Sequence, residues 1–393
     1  MTQSRSLRPF YRPMRPHRRD EPHRTATPLE LFFDLCFVVA VAQAAGNLHH
    51  DVSEGHLGHA LTRYLMVFFA IWWSWMNFTW FASAYDTDDD LYRITTLVQI
   101  AGALIIAAGV TQGFTDGDFT VITYGYVVMR LAAVVQWSRA AIGDPAHRAA
   151  ARRYAIGVTV VQLGWLLRLL LPAEWGIAAF VLLALADLLV PAVAERPGMT
   201  PWHPAHITER YGLFTLIVLG EAVGAVSLTI QDGLDAGEHD LWSLAAAGAV
   251  VVFALWWLYF DRPNEAPDRQ PYSLIWGYGH YLIFAAIAAV GAGLSVSVDY
   301  ERHLADISER IAGYAVAVPI AVFLLTVWVL HVRRQQHGAV VVAFPVVALL
   351  ALLAPLGPAP VYVLAALLVA LVALTVVLRR RDVRPSATVG DPA

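Results

Sequence analysis

The sequence contains no lysine: all 27 of its basic residues are arginine. Biased base composition is the only account we have of that. It contains one cysteine, Cys36, which excludes an intramolecular disulfide and reads as a small apolar residue within a helix. Charge is scarce: 15% of the 393 residues are charged and 58% are hydrophobic, against about 25% and 45–50% in soluble domains. A soluble core of this length has no room for so much apolar surface. Soluble-enzyme signatures are missing too. There is no Walker A loop, no glycine-rich dinucleotide fingerprint, no HExxH and no cysteine pair. No cofactor, metal or catalytic residue is therefore expected. No basic patch interleaved with aromatics points to nucleic acid.

What is present is a series of apolar runs. A helix crosses about 30 Å of hydrocarbon with roughly 20 such residues. The runs predict an all-α, polytopic transmembrane helix bundle of about twelve spans: 29–47, 60–82, 92–111, 119–140, 153–171, 174–194, 207–229, 241–260, 273–297, 309–332, 339–355 and 359–379. Residues 1–28, rich in Arg and Pro, read as a disordered cytoplasmic arm. They are too long for a signal-peptide n-region, and Glu30 and Asp34 stand where an apolar h-region would be, so the first span is expected to be retained. Residues 29–194 form a first six-helix half, 207–379 a second, and 380–393 a cytoplasmic tail. Leu356–Gly357–Pro358 separates the last two spans, which either cross fully or form a re-entrant pair. With both termini inside, 22 of the 27 arginines fall on cytoplasmic segments. Shifting the count by one helix destroys that bias, so the positive-inside rule favours this orientation. Trp72, Trp73, Trp75 and Trp80, and later Trp256, Trp257 and Tyr259, are expected to anchor helices at headgroup level.

Ionisable groups at bilayer depth are costly and normally face the bundle interior. Glu30 and Asp34 lie four residues apart on one helix face, with Arg93 or Arg210 as available partners. Asn77 in the second span offers an interhelical hydrogen bond. Glu209 and Arg210 open the seventh span. Glu221 lies eleven residues beyond Arg210, on nearly the same face and about 16 Å deeper, flanked by Gly220 and Gly224. Arg130, within the fourth span, is the natural partner for Glu221 or Asp34. Asp187 and His280 complete the candidates for an ion or solute pathway. His49, His50, Asp51, Glu54, His56 and His59 share the first outer loop at spacings that diagnose no metal site. The helices opened by Glu30 and by Glu209 are each followed, one helix later, by a Trp-Trp pair, which suggests two parallel six-helix repeats.

Several segments together carry a resemblance. The run Pro28-Leu29-Glu30-Leu31-Phe32-Phe33-Asp34-Leu35, continuing to Gln43, resembles the opening motif of the bacterial low temperature requirement A family. The run from His206 through Glu209-Arg210-Tyr211-Gly212-Leu213-Phe214 to Leu219-Gly220-Glu221 resembles that family's internal motif. Tyr126 to Leu131, Arg93 with Leu97-Val98-Gln99, and His280 are similar to further family positions. Two positions depart from it: Gly46, where the family often has a histidine, and Asp187, where it tends to have glutamate. The resemblance implies a multi-pass inner-membrane protein linked by its family name to growth in the cold, and supplies no biochemical activity. Phe33-Asp34 in the first of six repeated helices is similar, by analogy alone, to the lysosomal potassium channels.

Three readings compete. A permease or channel for a small ion or solute requires the buried charges to converge on an internal site. A lipid-processing membrane enzyme requires them to open sideways to lipid. A non-catalytic scaffold or sensor requires dry, paired bridges. The expected partners are the lipid bilayer and an unidentified small ion or solute. Association into homo-oligomers stays open.

Overall fold

The computed structural model describes residues 9–17, 21, 24–236, 239–261 and 266–382. The tail from 383 and the first eight residues lie outside that set. Among the described residues there are twelve long helices and no strand. They are α1 (Pro28–Ser53), α2 (Leu57–Tyr85), α3 (Asp90–Thr115), α4 (Thr120–Gly143), α5 (Arg148–Arg168), α6 (Gly176–Ala194), α7 (Pro204–Ala236), α8 (His239–Phe260), α9 (Tyr272–Glu301), α10 (Glu309–Val327), α11 (Ala339–Leu353) and α12 (Pro360–Asp382). Among the described residues, ten segments are long and apolar enough to cross a membrane. The helices overrun many of the expected spans because polar turns extend them beyond the apolar core; α1 continues six residues past Asn47 to Ser53.

The chain forms two compact units. The first holds α1 to α6, α7 as far as Glu221, and the start of α9 to Gly277. Its centre is α2, whose side chains are buried almost without interruption from Met66 to Phe78. Trp72, Trp73 and Trp75 are each no more than 1% exposed. The headgroup-anchor expectation fails for these three. Their rings pack on Phe69, Tyr211 and Phe214 instead, because a helix surrounded by protein has no lipid-facing side. Helices α3 and α4 touch backbone to backbone. A Cβ on Gly125 would lie 2.6 Å from the Gly102 carbonyl and 2.7 Å from the Ile106 nitrogen, so only glycine permits this approach.

Part of the arm is also ordered, which corrects the expectation of disorder over 1–28 for the residues described. His17 N donates to the Ala84 carbonyl, Asp90 N to that of Pro9 and Leu91 N to that of Phe10. Met14 is fully buried. Arg24 donates to the Ala82 and Ser83 carbonyls, both at 2.6 Å. Composition misled here: His17 and Arg24 donate to carbonyls at the end of α2, and the Pro9 and Phe10 carbonyls accept from the first N–H groups of α3.

The second unit holds the rest of α7, α8, the remainder of α9, and α10 to α12. Small residues again set the spacing: a Cβ on Gly291 would meet the Ala222 Cα at 3.0 Å. Helix α10 runs into a π-helical turn, Trp328–Val332. Trp256 and Trp257 on α8 remain substantially exposed.

Candidate functional site

Helix α1 begins with a capping box. Thr27 N donates to Glu30 Oε2 at 2.8 Å and Glu30 N to Thr27 Oγ1 at 3.3 Å, and Pro28 occupies the first helical position, where its missing N–H costs nothing. The cap fixes Glu30, and Asp34 lies one turn along the same face. On α7, His206 and Arg210 share the same four-residue spacing. The two pairs face each other. Arg210 grips Asp34 with two parallel bonds, Nε to Oδ2 at 2.9 Å and Nη2 to Oδ1 at 2.6 Å. Arg210 Nη1 lies 3.0 Å and His206 Nε2 3.3 Å from Glu30 Oε1. All four side chains are buried. Trp75 of α2 donates to Asp34 Oδ1 at 2.6 Å, and Thr79 stands 3.4 Å from Arg210 Nη2.

This site is not saturated with hydrogen bonds. Glu30 Oε1, Arg210 Nη1 and both ring nitrogens of His206 are buried without an aligned partner; the close ion-pair contacts above are off the hydrogen-bonding axis. The charge does not balance on the carboxylates and guanidinium alone. Two carboxylates face one arginine, so neutrality requires one further positive charge: a proton on the His206–Glu30 pair or a bound cation. Arg24 and Asp86, just outside, act on Glu30 with opposite signs. Burial, aided by the charge of Glu30, pushes the Asp86 carboxyl up to about 7.

Arg130 pairs with Asp187, not with Glu221 or Asp34 as expected. Its Nη2 lies 3.0 Å from Asp187 Oδ1. Asp187 Oδ2 accepts from the Tyr126 hydroxyl at 2.7 Å and from Trp165 Nε1 at 2.8 Å, and Arg130 also donates to Tyr126. Helix periodicity gives the depth of a residue but not its neighbours. The 57-residue separation of this pair carries no local signal.

The other candidates are scattered. Asn77 is half-buried, donates to the Trp73 carbonyl at 2.7 Å and lines a cleft described below. Glu209 is half-buried, next to Arg210 but on a different face of α7. Glu221 is half-buried, and its carboxylate has no hydrogen bond or ion pair among the described residues. His280 belongs to the second unit, with Nε2 3.2 Å from the Tyr259 hydroxyl and its ring 5.4 Å from that of His331. Arg93, considered for Asp34, pairs with Asp88 at 2.7 Å. Where α1 ends and α2 begins, His59 and Asp51 approach to 3.8 Å. Among the described residues no group of three His, Cys, Asp or Glu side chains is arranged to hold a metal.

Sequence reasoning did not count His206, Trp75, Tyr126 or Trp165 among the site residues. For His206 the signal was present: His206-Arg210 repeats the spacing of Glu30-Asp34 with opposite charge. The indole and phenol partners of the aspartates had none.

Many apolar helices enclosing buried ionic clusters define a polytopic helical membrane protein. Within that class the chain belongs to the bacterial low temperature requirement A protein (LtrA) family, whose model matches residues 25–378. It is also similar to an uncharacterized protein, RA0937, of Rhizobium meliloti (strain 1021), with 24% identity over 327 residues that cover 78% of this chain and 77% of the relative.

Proposed function

We propose that this protein is a permease for a small ion or solute, coupled to protonation or cation binding at the Glu30–Asp34–His206–Arg210 site. The observation that carries it is the surplus carboxylate: two buried acids, one arginine, and a histidine whose ring nitrogens have no aligned hydrogen bond. A site built only for stability closes its charge and its hydrogen bonds. This one lacks one positive charge, which a proton or a monovalent cation would supply. The lipid-enzyme reading is less well supported, because these side chains are buried in protein and not open to the side. The Arg130–Asp187 pair favours a second, structural role for itself alone. Three donors converge on Asp187 there, as a static lock requires.

The proposed setting is the inner membrane, crossed twelve times with both termini in the cytoplasm. The arginine distribution supports this. Helices α4 and α5 fall outside the ten strongly apolar segments because Arg130, Arg139, Arg148, Arg152, Arg153 and Arg168 lower their hydropathy. Their 24 and 21 residues nevertheless reach about 36 and 31 Å at 1.5 Å per residue. The 23 residues of α12 give it the length for a full crossing. The meeting of α1 with α7, the first helices of the two halves, supports a parallel repeat.

The test is flux in proteoliposomes, using a panel of monovalent cations and a pH-sensitive dye, for the wild type, Glu30→Gln and Glu221→Gln. Glu30→Gln removes the surplus charge, and coupled flux is expected to be lost. If Glu30→Gln matches the wild type, or the wild type moves neither protons nor cations above empty vesicles, the reading is wrong.

A further inference from the structure

A second polar group in the first unit is buried with its charge uncompensated. Glu195, just past the end of α6, is 8% exposed. Its carboxylate accepts from the Tyr154 hydroxyl at 3.1 Å, from the Thr200 hydroxyl at 2.6 Å and from the Gln270 amide. All three donors are neutral, and Glu195 forms no ion pair among the described residues. Neutral donors orient a carboxylate but leave its negative charge in place. Burial correspondingly raises its proton affinity.

The same carboxylate borders a small, partly open cleft. Trp73, Trp80, Trp137 and Tyr154 line it, with Asn77, Thr200 and Ser273 as polar groups. Trp137 and Tyr154 stack at 4.1 Å with their planes 6° apart, which fixes one wall. The faces of indole and phenol rings attract positive charge, and a cage of them beside a carboxylate matches an alkylated ammonium: apolar carbon outside, a diffuse positive charge within. The lining is mostly ring and aliphatic carbon, which suits an organic cation better than a hard ion such as sodium, which needs a full shell of oxygens. The guanidinium of Arg130 already lies 5.9 Å from the Trp73 ring centroid. Its charge is met by Asp187, so it does not supply Glu195 with a counter-ion.

We propose that this cleft binds a small organic ammonium ion, held by the faces of Trp73, Trp80 and Trp137 and by the Glu195 carboxylate. Binding stands on this geometry alone; only the step from binding to transport rests on the permease reading above.

The experiment is isothermal titration of the full-length protein in detergent with tetramethylammonium chloride. Sodium chloride and tert-butanol, which has a similar shape and no charge, serve as controls. The wild type is expected to bind tetramethylammonium and neither control. Glu195→Gln keeps the size and one acceptor oxygen for Tyr154 and Thr200 and removes the charge; it should weaken binding about tenfold or more. Trp80→Leu should weaken it similarly and Trp80→Phe much less, which keeps the test sharp if the Glu195 variant does not fold. The proposal is overturned if the wild type gives no tetramethylammonium binding, if tert-butanol or sodium binds as well, or if Glu195→Gln and Trp80→Leu both bind like the wild type. Tetramethylammonium binding with no flux of any ion refutes the permease reading and leaves the site standing. Proton or cation flux without tetramethylammonium binding does the reverse.

Discussion

Arg130→Met leaves Asp187 charged and buried with no cation. Removing one partner of a buried pair typically costs about 3–5 kcal/mol. Asp187 keeps two neutral donors, Tyr126 and Trp165, at 2.7 and 2.8 Å, and each hydrogen bond to a charged group retains about 1.5–3 kcal/mol. The loss should therefore fall at the low end, about 3 kcal/mol. Asp187→Leu strands the guanidinium instead. Its remaining support is Tyr126, whose ring centroid is 4.7 Å away, and Trp73 at 5.9 Å. Such contacts contribute about 1–2 kcal/mol when desolvated, so this variant should lose about 3–4 kcal/mol. The double variant strands neither charge and should sit within about 1 kcal/mol of the wild type. The cycle thus predicts a coupling of several kcal/mol. Equilibrium unfolding in mixed micelles measures it, and flux should survive in the double variant. Additive single losses, or a double variant that folds but transports nothing, would refute the assignment of this pair as a lock.

Other consequences can be checked on the same preparation. Gly125→Ala places a methyl group against the α3 backbone and should cost about 1–3 kcal/mol, read as a lowered melting temperature. Asp89 caps α3 through Tyr92 N at 2.7 Å, binds Arg12 N at 2.7 Å and pairs with Arg139. Asp89→Ala should cost about 3–5 kcal/mol and expose the arm to protease. For Asp86, the folded carboxyl holds its proton up to about 7 and the unfolded one only to about 3.9. The native state therefore binds more protons, and wild-type stability should fall as pH rises across that window and level off above it. Asp86→Asn should flatten that slope; an unchanged slope in unfolding titrations would show that Asp86 is not its source.

The membrane class and the helix positions were legible because lipid imposes a simple rule on composition, and the runs obey it. The Glu30–Asp34 face was legible for the same reason: four residues make one turn. Its partner Arg210 was one of three arginines, with Arg93 and Arg130, that helix depth allowed, and only tertiary packing chose among them. The Thr27-Pro28-Leu29-Glu30 cap is written in the sequence as a Thr three residues before a Glu, and it explains why Glu30 is held so firmly. Glu221 shows the limit of depth arguments. Its place on α7 suggested a deep, partnered carboxylate, and it is half-buried without one. The α2 tryptophans carry the same lesson: an aromatic cluster marks a lipid interface or a protein interior equally well until the neighbours are known.

The arm is synthesised before the helices that seat it, and part of that seat is made of residues that come much later. Arg12 waits for Arg139, Met14 for Gly143, and the Glu21 carbonyl for His203. Until those segments are in place the arm has only its contacts with the end of α2 and the start of α3. Full docking of the arm is therefore a late event in biogenesis, a latch that closes only after α1 to α6 are in place.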